Sequence, residues 1–61
     1  MSQDEVRIEL KEFLQKRGVK NKYIAELSGV SEQTISMFLH SKRELSPKRL
    51  ELIYLYISEN A

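Results

Sequence analysis

The sequence predicts an all-α fold, a compact bundle of four or five short helices. Apolar residues recur at helical spacing in each segment between two turn signals. Gly18 and Gly29 follow two of these segments, at the place where a helix ends in a left-handed residue. Ser46 and Pro47 have the chemistry of an N-cap and a first helical position, which indicates a further helix start.

Length and composition limit the protein class. The 61 residues allow a single domain, 1–61, near the size at which a hydrophobic core alone is marginal. With no cysteine and one histidine, we expect neither disulfides nor a metal site. No apolar run approaches the roughly 18 residues that span a bilayer, and the acidic N-terminus lacks the features of a signal peptide. We therefore expect a cytoplasmic protein without membrane association, cofactor or small-molecule ligand.

The first predicted helix begins near Gln3, because Ser2 and Glu5 have the spacing of a capping box. Gly18 ends it. Ile8 lies roughly opposite its apolar stripe and is expected to be exposed. That stripe consists of Val6, Leu10, Phe13 and Leu14.

Two further short helices are predicted on either side of Gly29. The first runs from about Asn21 to Leu27 or Ser28, and Ser31 can cap the second by accepting from a backbone N–H. Val30 fills the turn from the inside. The inward positions are Ile24, Ala25 and Leu27 in the first helix and Ile35, Phe38 and Leu39 in the second.

This spacing is typical of a helix-turn-helix, whose second helix can lie in the major groove of DNA. The set combines small Ala25, Gly29 four residues later and Ile35 six residues after that, with apolar residues at 24, 30 and 38. The stretch 21–40 resembles the helix-turn-helix of the Cro and lambda-type repressor family, and the resemblance extends over about residues 6 to 57. The alternative is a small helical bundle in which the turn between two helices has this spacing by chance.

The resemblance implies a lambda-repressor-like fold and a function. We expect site-specific binding to double-stranded DNA by a small phage- or plasmid-type transcriptional repressor, not an enzyme. The alternative is a protein-interaction module of the same fold, such as an antirepressor. Two departures stand out. Many members pair a buried arginine of helix 1 with a glutamate of helix 3, where this chain has Leu14 and Leu39. Too little chain follows the fourth helix for the family's usual fifth.

Base contacts are expected from the outward stripe of the third helix. Gln33 can bond to an adenine edge, and Met37 or Thr34 can touch a thymine methyl group. Glu32 can accept from cytosine or simply favour the helix dipole. His40 could equally be a solvated residue at the end of the helix or a contact to a phosphate or a base. The predicted base-contacting residues are Glu32, Gln33, Thr34, Ser36, Met37 and His40.

Phosphate contacts are expected where positive charge is concentrated. Residues 16–49 carry eight Lys or Arg and three Glu, a net charge of +5, whereas each flanking segment is at −2. In the family the loop after the recognition helix contacts the DNA backbone, which implicates Lys42 and Arg43. Lys48 and Arg49 oppose the dipole of their own helix, which suggests a nearby anion, most simply phosphate; the alternative is incidental surface charge. The predicted phosphate-contacting residues are Lys20, Asn21, Lys22, Ser31, Lys42, Arg43 and Lys48.

The fourth helix, from Pro47 to about Ser58, is apolar nearly all round. Its core face is predicted to be Leu50, Ile53, Tyr54 and Ile57. A second apolar face predicts a homodimer interface that serves a near-palindromic operator. The predicted interface residues are Leu52, Leu55 and Tyr56, with Ile8 from helix 1. The competing account packs Leu52 and Leu55 against helix 1 within one monomer.

Overall fold

A computed structural model describes residues 1–60 and shows four α-helices. They are α1 (Gln3–Arg17), α2 (Asn21–Ser28), α3 (Glu32–Leu39) and α4 (Pro47–Asn60). The predicted all-α fold class is confirmed. Helix α4 packs against α1 and α2, and α3 also packs against these two helices. Among residues 1–60, no helix is both long enough and apolar enough to cross a membrane.

The helix ends follow the local signals in the sequence. The Ser2 hydroxyl accepts from the Glu5 N–H while the Glu5 carboxylate accepts from the Ser2 N–H, completing the capping box. Gly18 and Gly29 adopt left-handed φ angles of 67° and 76°. Helix α4 begins at Pro47 and continues two residues beyond the predicted end, to Asn60.

One hydrophobic core joins all four helices. Val6, Leu10, Ile24, Ile35, Phe38 and Ile53 are fully buried, and Leu45 anchors the α3–α4 loop from inside. Burying apolar side chains of this size stabilises a fold by about 1.5–3 kcal/mol each. Leu14, Val19, Leu27 and Val30 are half-buried at the edge of this core.

The prediction that Tyr54 helps to close the core is wrong, because 39% of its surface is exposed. Tyr56 takes the interior position instead. Its ring lies 5.4 Å from that of Phe13, edge to face, and 5.4 Å from that of Tyr23. Phe13 of α1 and Tyr23 of α2 therefore lie on the side of α4 that carries Tyr56.

Candidate nucleic-acid interface

The turn between α2 and α3 is held by backbone and side-chain hydrogen bonds. The N–H groups of Gly29 and Val30 donate to the Ala25 carbonyl at 2.9 and 3.1 Å. The buried Ser28 hydroxyl donates to the Ile24 carbonyl at 2.7 Å. From α4, the Arg49 guanidinium donates to the Ser28 carbonyl at 2.6 Å. Together these bonds fix the end of α2, and with it the direction in which α3 begins.

A pair of hydroxyl groups caps the start of α3. Ser31 Oγ accepts from the Thr34 N–H at 3.1 Å and lies 2.9 Å from Thr34 Oγ1. Only one of the two hydroxyl protons is used in the bond between them, so the other can point to an external acceptor. Ser31 is exposed and Thr34 half-buried. The cap leaves one donor at the exposed N-terminus of this helix.

The predicted base-contacting residues lie along α3, with different degrees of exposure. Glu32, Gln33 and His40 are exposed, whereas Thr34, Ser36 and Met37 are half-buried. Opposite them, Ile35, Phe38 and Leu39 are buried in the core. Because Gln33 reaches solvent near the helix start, its amide can approach a groove without displacing any core residue.

His40 has a structural partner that the sequence did not indicate. Its Nδ1 lies 2.8 Å from the Ser36 carbonyl, one turn earlier in the same helix. Beyond it, Ser41 N–H donates to the Phe38 carbonyl and Lys42 N–H to the Met37 carbonyl, as in a Schellman motif. Ser41 adopts a φ angle of 61°, where glycine is preferred. The imidazole is therefore part of the C-terminal end of α3.

The predicted phosphate-contacting lysines and arginine are all exposed. They are Lys20 and Lys22 at the start of α2, Lys42 and Arg43 in the loop after α3, and Lys48 in the first turn of α4. Within residues 1–60 the sole ion pair is Arg7 with Asp4, so none of these cations is neutralised by a carboxylate there.

Asn21 is the first residue of α2 and is half-buried. Lys20 occupies the N-cap position, and no side chain caps the first turn. The backbone N–H groups at this helix start therefore have no side-chain acceptor among residues 1–60, a setting that favours an anion.

A helix-turn-helix family model matches residues 10–53, well over half of the chain and including α2, α3 and the intervening turn. The chain belongs to the helix-turn-helix family of Cro and lambda-type repressors. Members of this family are DNA-binding transcription regulators. Comparison with curated proteins and with solved structures gives no match.

Three polar residues outside the predicted site support this helix-turn-helix domain. Gln3 bonds to the backbone of Leu45, Arg7 to the carbonyl of Phe38, and Arg49 to that of Ser28. Two of them had a local signal: Asp4 lies three residues before Arg7 and can pair with it on a helix, and Arg49 is a cation at the start of its own helix. The helix-turn-helix domain does bury an arginine of α1, but that arginine bonds to a backbone carbonyl at the end of α3.

The residues predicted for the dimer interface differ in how much of their surface is exposed. Leu52 and Leu55 are 37% and 47% exposed, so both leave apolar surface uncovered in the monomer. Tyr56 is half-buried between Phe13 and Tyr23, and this burial, together with Tyr23, raises the pKa of its phenol. Ile8 is 57% exposed on α1.

Proposed function

We propose that this helix-turn-helix domain binds double-stranded DNA at a specific sequence and acts as a small phage- or plasmid-type transcriptional repressor. The observation that carries the proposal is the exposed amide of Gln33 near the start of α3. Cations that lack a carboxylate partner within residues 1–60 lie on both sides of it in the chain. We place this activity in the cytoplasm.

Base recognition is assigned to the exposed side of α3. Gln33 would bond bidentately to the edge of an adenine in the major groove. Ser36 would add one hydrogen bond, and the methyl groups of Met37 and Thr34 would touch thymine. Glu32 can accept from cytosine, although its place at the start of α3 also favours the helix dipole. His40, bonded to its own helix, is the weakest base-contact candidate of the set.

Phosphate binding is assigned to two sets of residues that would contact the DNA backbone. At the start of α2 and α3, Lys20, Asn21, Lys22 and Ser31 would contact one strand through side chains and free N–H groups. After α3, Lys42, Arg43 and Lys48 would contact the backbone on the other side of the groove. These contacts give affinity and orientation without reading sequence.

A homodimer completes the proposal. Leu52 and Leu55 leave apolar surface on α4 that a two-fold related copy could cover, with Tyr56 at its border. Two α3 helices would then enter major grooves about 34 Å apart on a near-palindromic operator. A single short helix reads too few base pairs to select one site in a genome.

The proposal is tested by selecting bound sites from a random DNA pool and measuring affinity against salt. We expect an enriched, near-palindromic sequence and binding that weakens steeply as salt rises. Replacing Lys42, Arg43 or Lys48 by alanine should flatten the slope by about one unit each. Lys11→Ala, which removes an exposed cation from the acidic first segment, is the control and should leave the slope unchanged. Equal slopes for all four variants would contradict the assigned phosphate contacts.

The second candidate is a protein-interaction module such as an antirepressor. This function is favoured by three exposed residues of α4, Leu52, Tyr54 and Leu55, which could bind a different protein instead of a second copy of this chain. This function predicts no salt-dependent binding to any duplex and no enrichment from the random pool, so the same experiment separates the two.

A further inference from the structure

The loop between α3 and α4 is attached at both of its ends to one face of α1. Arg7 bonds to the carbonyl of Phe38, just before the loop, and Gln3 bonds to Leu45 at its end. Gln3 and Arg7 are four residues apart, which places them on the same side of a helix, one turn from each other. Residues 41–44, between the two attachment points, are exposed.

Gln3 uses both polar atoms of its amide on a single residue. Its Nε2 donates to the Leu45 carbonyl at 2.7 Å, and its Oε1 accepts from the Leu45 N–H at 3.0 Å. Two bonds from one planar amide to one residue define the orientation of the backbone as well as its position. Both bonds are partly buried and join residues 42 positions apart.

Arg7 holds the other end and is 7% exposed. Its Nε donates to the Phe38 carbonyl, its guanidinium carbon lies 4.7 Å from the centre of the Phe38 ring, and its Nη1 bonds to Asp4 at 2.6 Å. The same Phe38 carbonyl also accepts from the Ser41 N–H, where the loop turns away from the helix. The start of the loop is therefore fixed without help from Gln3.

We infer that Gln3 is a positioning residue for the phosphate contacts of Lys42 and Arg43. Arg7 holds the start of the loop at Phe38. Gln3 holds the end of the loop at Leu45, so both ends are fixed before DNA binds. Without the Gln3 bonds the far end of the loop can move, and Lys42 and Arg43 then leave some of their phosphates uncontacted in the complex, which lowers both the affinity and the number of counterions released. The inference rests on the proposed function, since it assigns Gln3 a role in the DNA contacts of the same loop.

The experiment measures salt dependence, because a purely structural role would not change it. A destabilised variant binds less because fewer molecules are folded, and that fraction does not alter the number of counterions released per complex. Loss of phosphate contacts does lower the slope of log affinity against log salt. The probe is a fluorescein-labelled duplex of 30 base pairs and mixed sequence, titrated from low to moderate salt.

Gln3→Met keeps a long side chain and helix propensity but removes both hydrogen bonds to Leu45. We expect the double variant K42A/R43A to lower the slope by about two units and Gln3→Met by about one to two. Adding Gln3→Met to K42A/R43A should lower it no further. Gln15→Met makes the same change at an exposed position of α1 and should match the wild type. Circular dichroism selects a temperature at which each variant is fully folded.

Each outcome has a definite meaning. If K42A/R43A flattens the slope and Gln3→Met does not, the positioning role is overturned while the proposed DNA contacts stand. If K42A/R43A leaves the slope unchanged, the assigned loop contacts are wrong and the inference falls with them. Should Gln3→Met fail to fold, Gln3→Asn keeps an uncharged amide that is one methylene too short to make both bonds to Leu45, and the same direction of slope change is expected of it.

Discussion

The guanidinium of Arg49, in the first turn of α4, donates a 2.6 Å hydrogen bond to the carbonyl oxygen of Ser28, the last residue of α2. The last carbonyl groups of a helix have no partner within it, and a cation there also interacts favourably with the helix dipole. The charge that is unfavourably placed for α4 therefore stabilises α2. For Arg49 this contact replaces the nearby anion that the sequence suggested.

We predict different effects on stability when each of the two adjacent cations of α4 is replaced by alanine. Arg49→Ala should lower the free energy of unfolding by about 1–2 kcal/mol, because a charge-assisted bond to the Ser28 carbonyl is lost. Lys48→Ala should leave it unchanged or raise it by about 0.3–1 kcal/mol, because an exposed cation is removed from a helix start. Urea denaturation followed by circular dichroism measures both. Equal destabilisation by the two substitutions would show that the Ser28 contact contributes nothing specific.

Ser41 offers a position where one substitution should stabilise the fold. Its φ angle of 61° lies in the left-handed region, which costs a residue with a Cβ about 1–2 kcal/mol. Ser41→Gly removes that cost but gives the unfolded chain more freedom, so we expect a net gain of about 0.5–1 kcal/mol. The reverse change, Gly18→Ser, tests the same principle at the φ of 67° that ends α1 and should be destabilising. A loss of thermal stability in Ser41→Gly would contradict this account of the turn.

Helix boundaries were predictable because their causes lie within a few residues. Ser2 and Glu5 are three apart, Ser31 caps Thr34 three residues on, and Gly29 ends α2 through its own backbone. These contacts form whenever the segment is helical, whatever the rest of the chain does. The helix-turn-helix could therefore be located from the spacing of a few residues.

Contacts between distant segments could not be predicted in this way. Gln3 and Leu45 are 42 residues apart, Arg7 and Phe38 are 31 apart, and Arg49 and Ser28 are 21 apart. Each partner is a backbone group, which every residue has, so no residue type in the sequence identifies it. The choice of Tyr56 over Tyr54 likewise depends on where the rings of α1 and α2 lie after packing.

We predict that Gln33 discriminates between DNA sequences. Gln33→Ala should weaken binding to the selected site by about 1–3 kcal/mol and leave binding to a mixed-sequence duplex nearly unchanged, because the lost bonds go to a base edge. Fluorescence anisotropy on both duplexes at one salt concentration measures the difference. Gln15→Ala, an exposed glutamine of α1, is the control and should affect neither duplex. Equal losses on the two duplexes would mean that Gln33 contacts the backbone or stabilises α3 instead.

The last prediction concerns the dimer and Leu55. Since 47% of its surface is exposed in the monomer, Leu55→Glu should fold normally while placing a charge in the interface between copies. We expect sedimentation equilibrium to show a dimer for the wild type at high micromolar concentration and a monomer for Leu55→Glu. Titration of the selected operator should give two chains per duplex for the wild type. Ile8→Glu shows whether α1 also joins the interface: a weakened dimer includes Ile8, and an unchanged one confines the interface to α4. A monomeric wild type that binds its operator one to one would exclude the dimer, and unfolding of Leu55→Glu would place that side chain in the core.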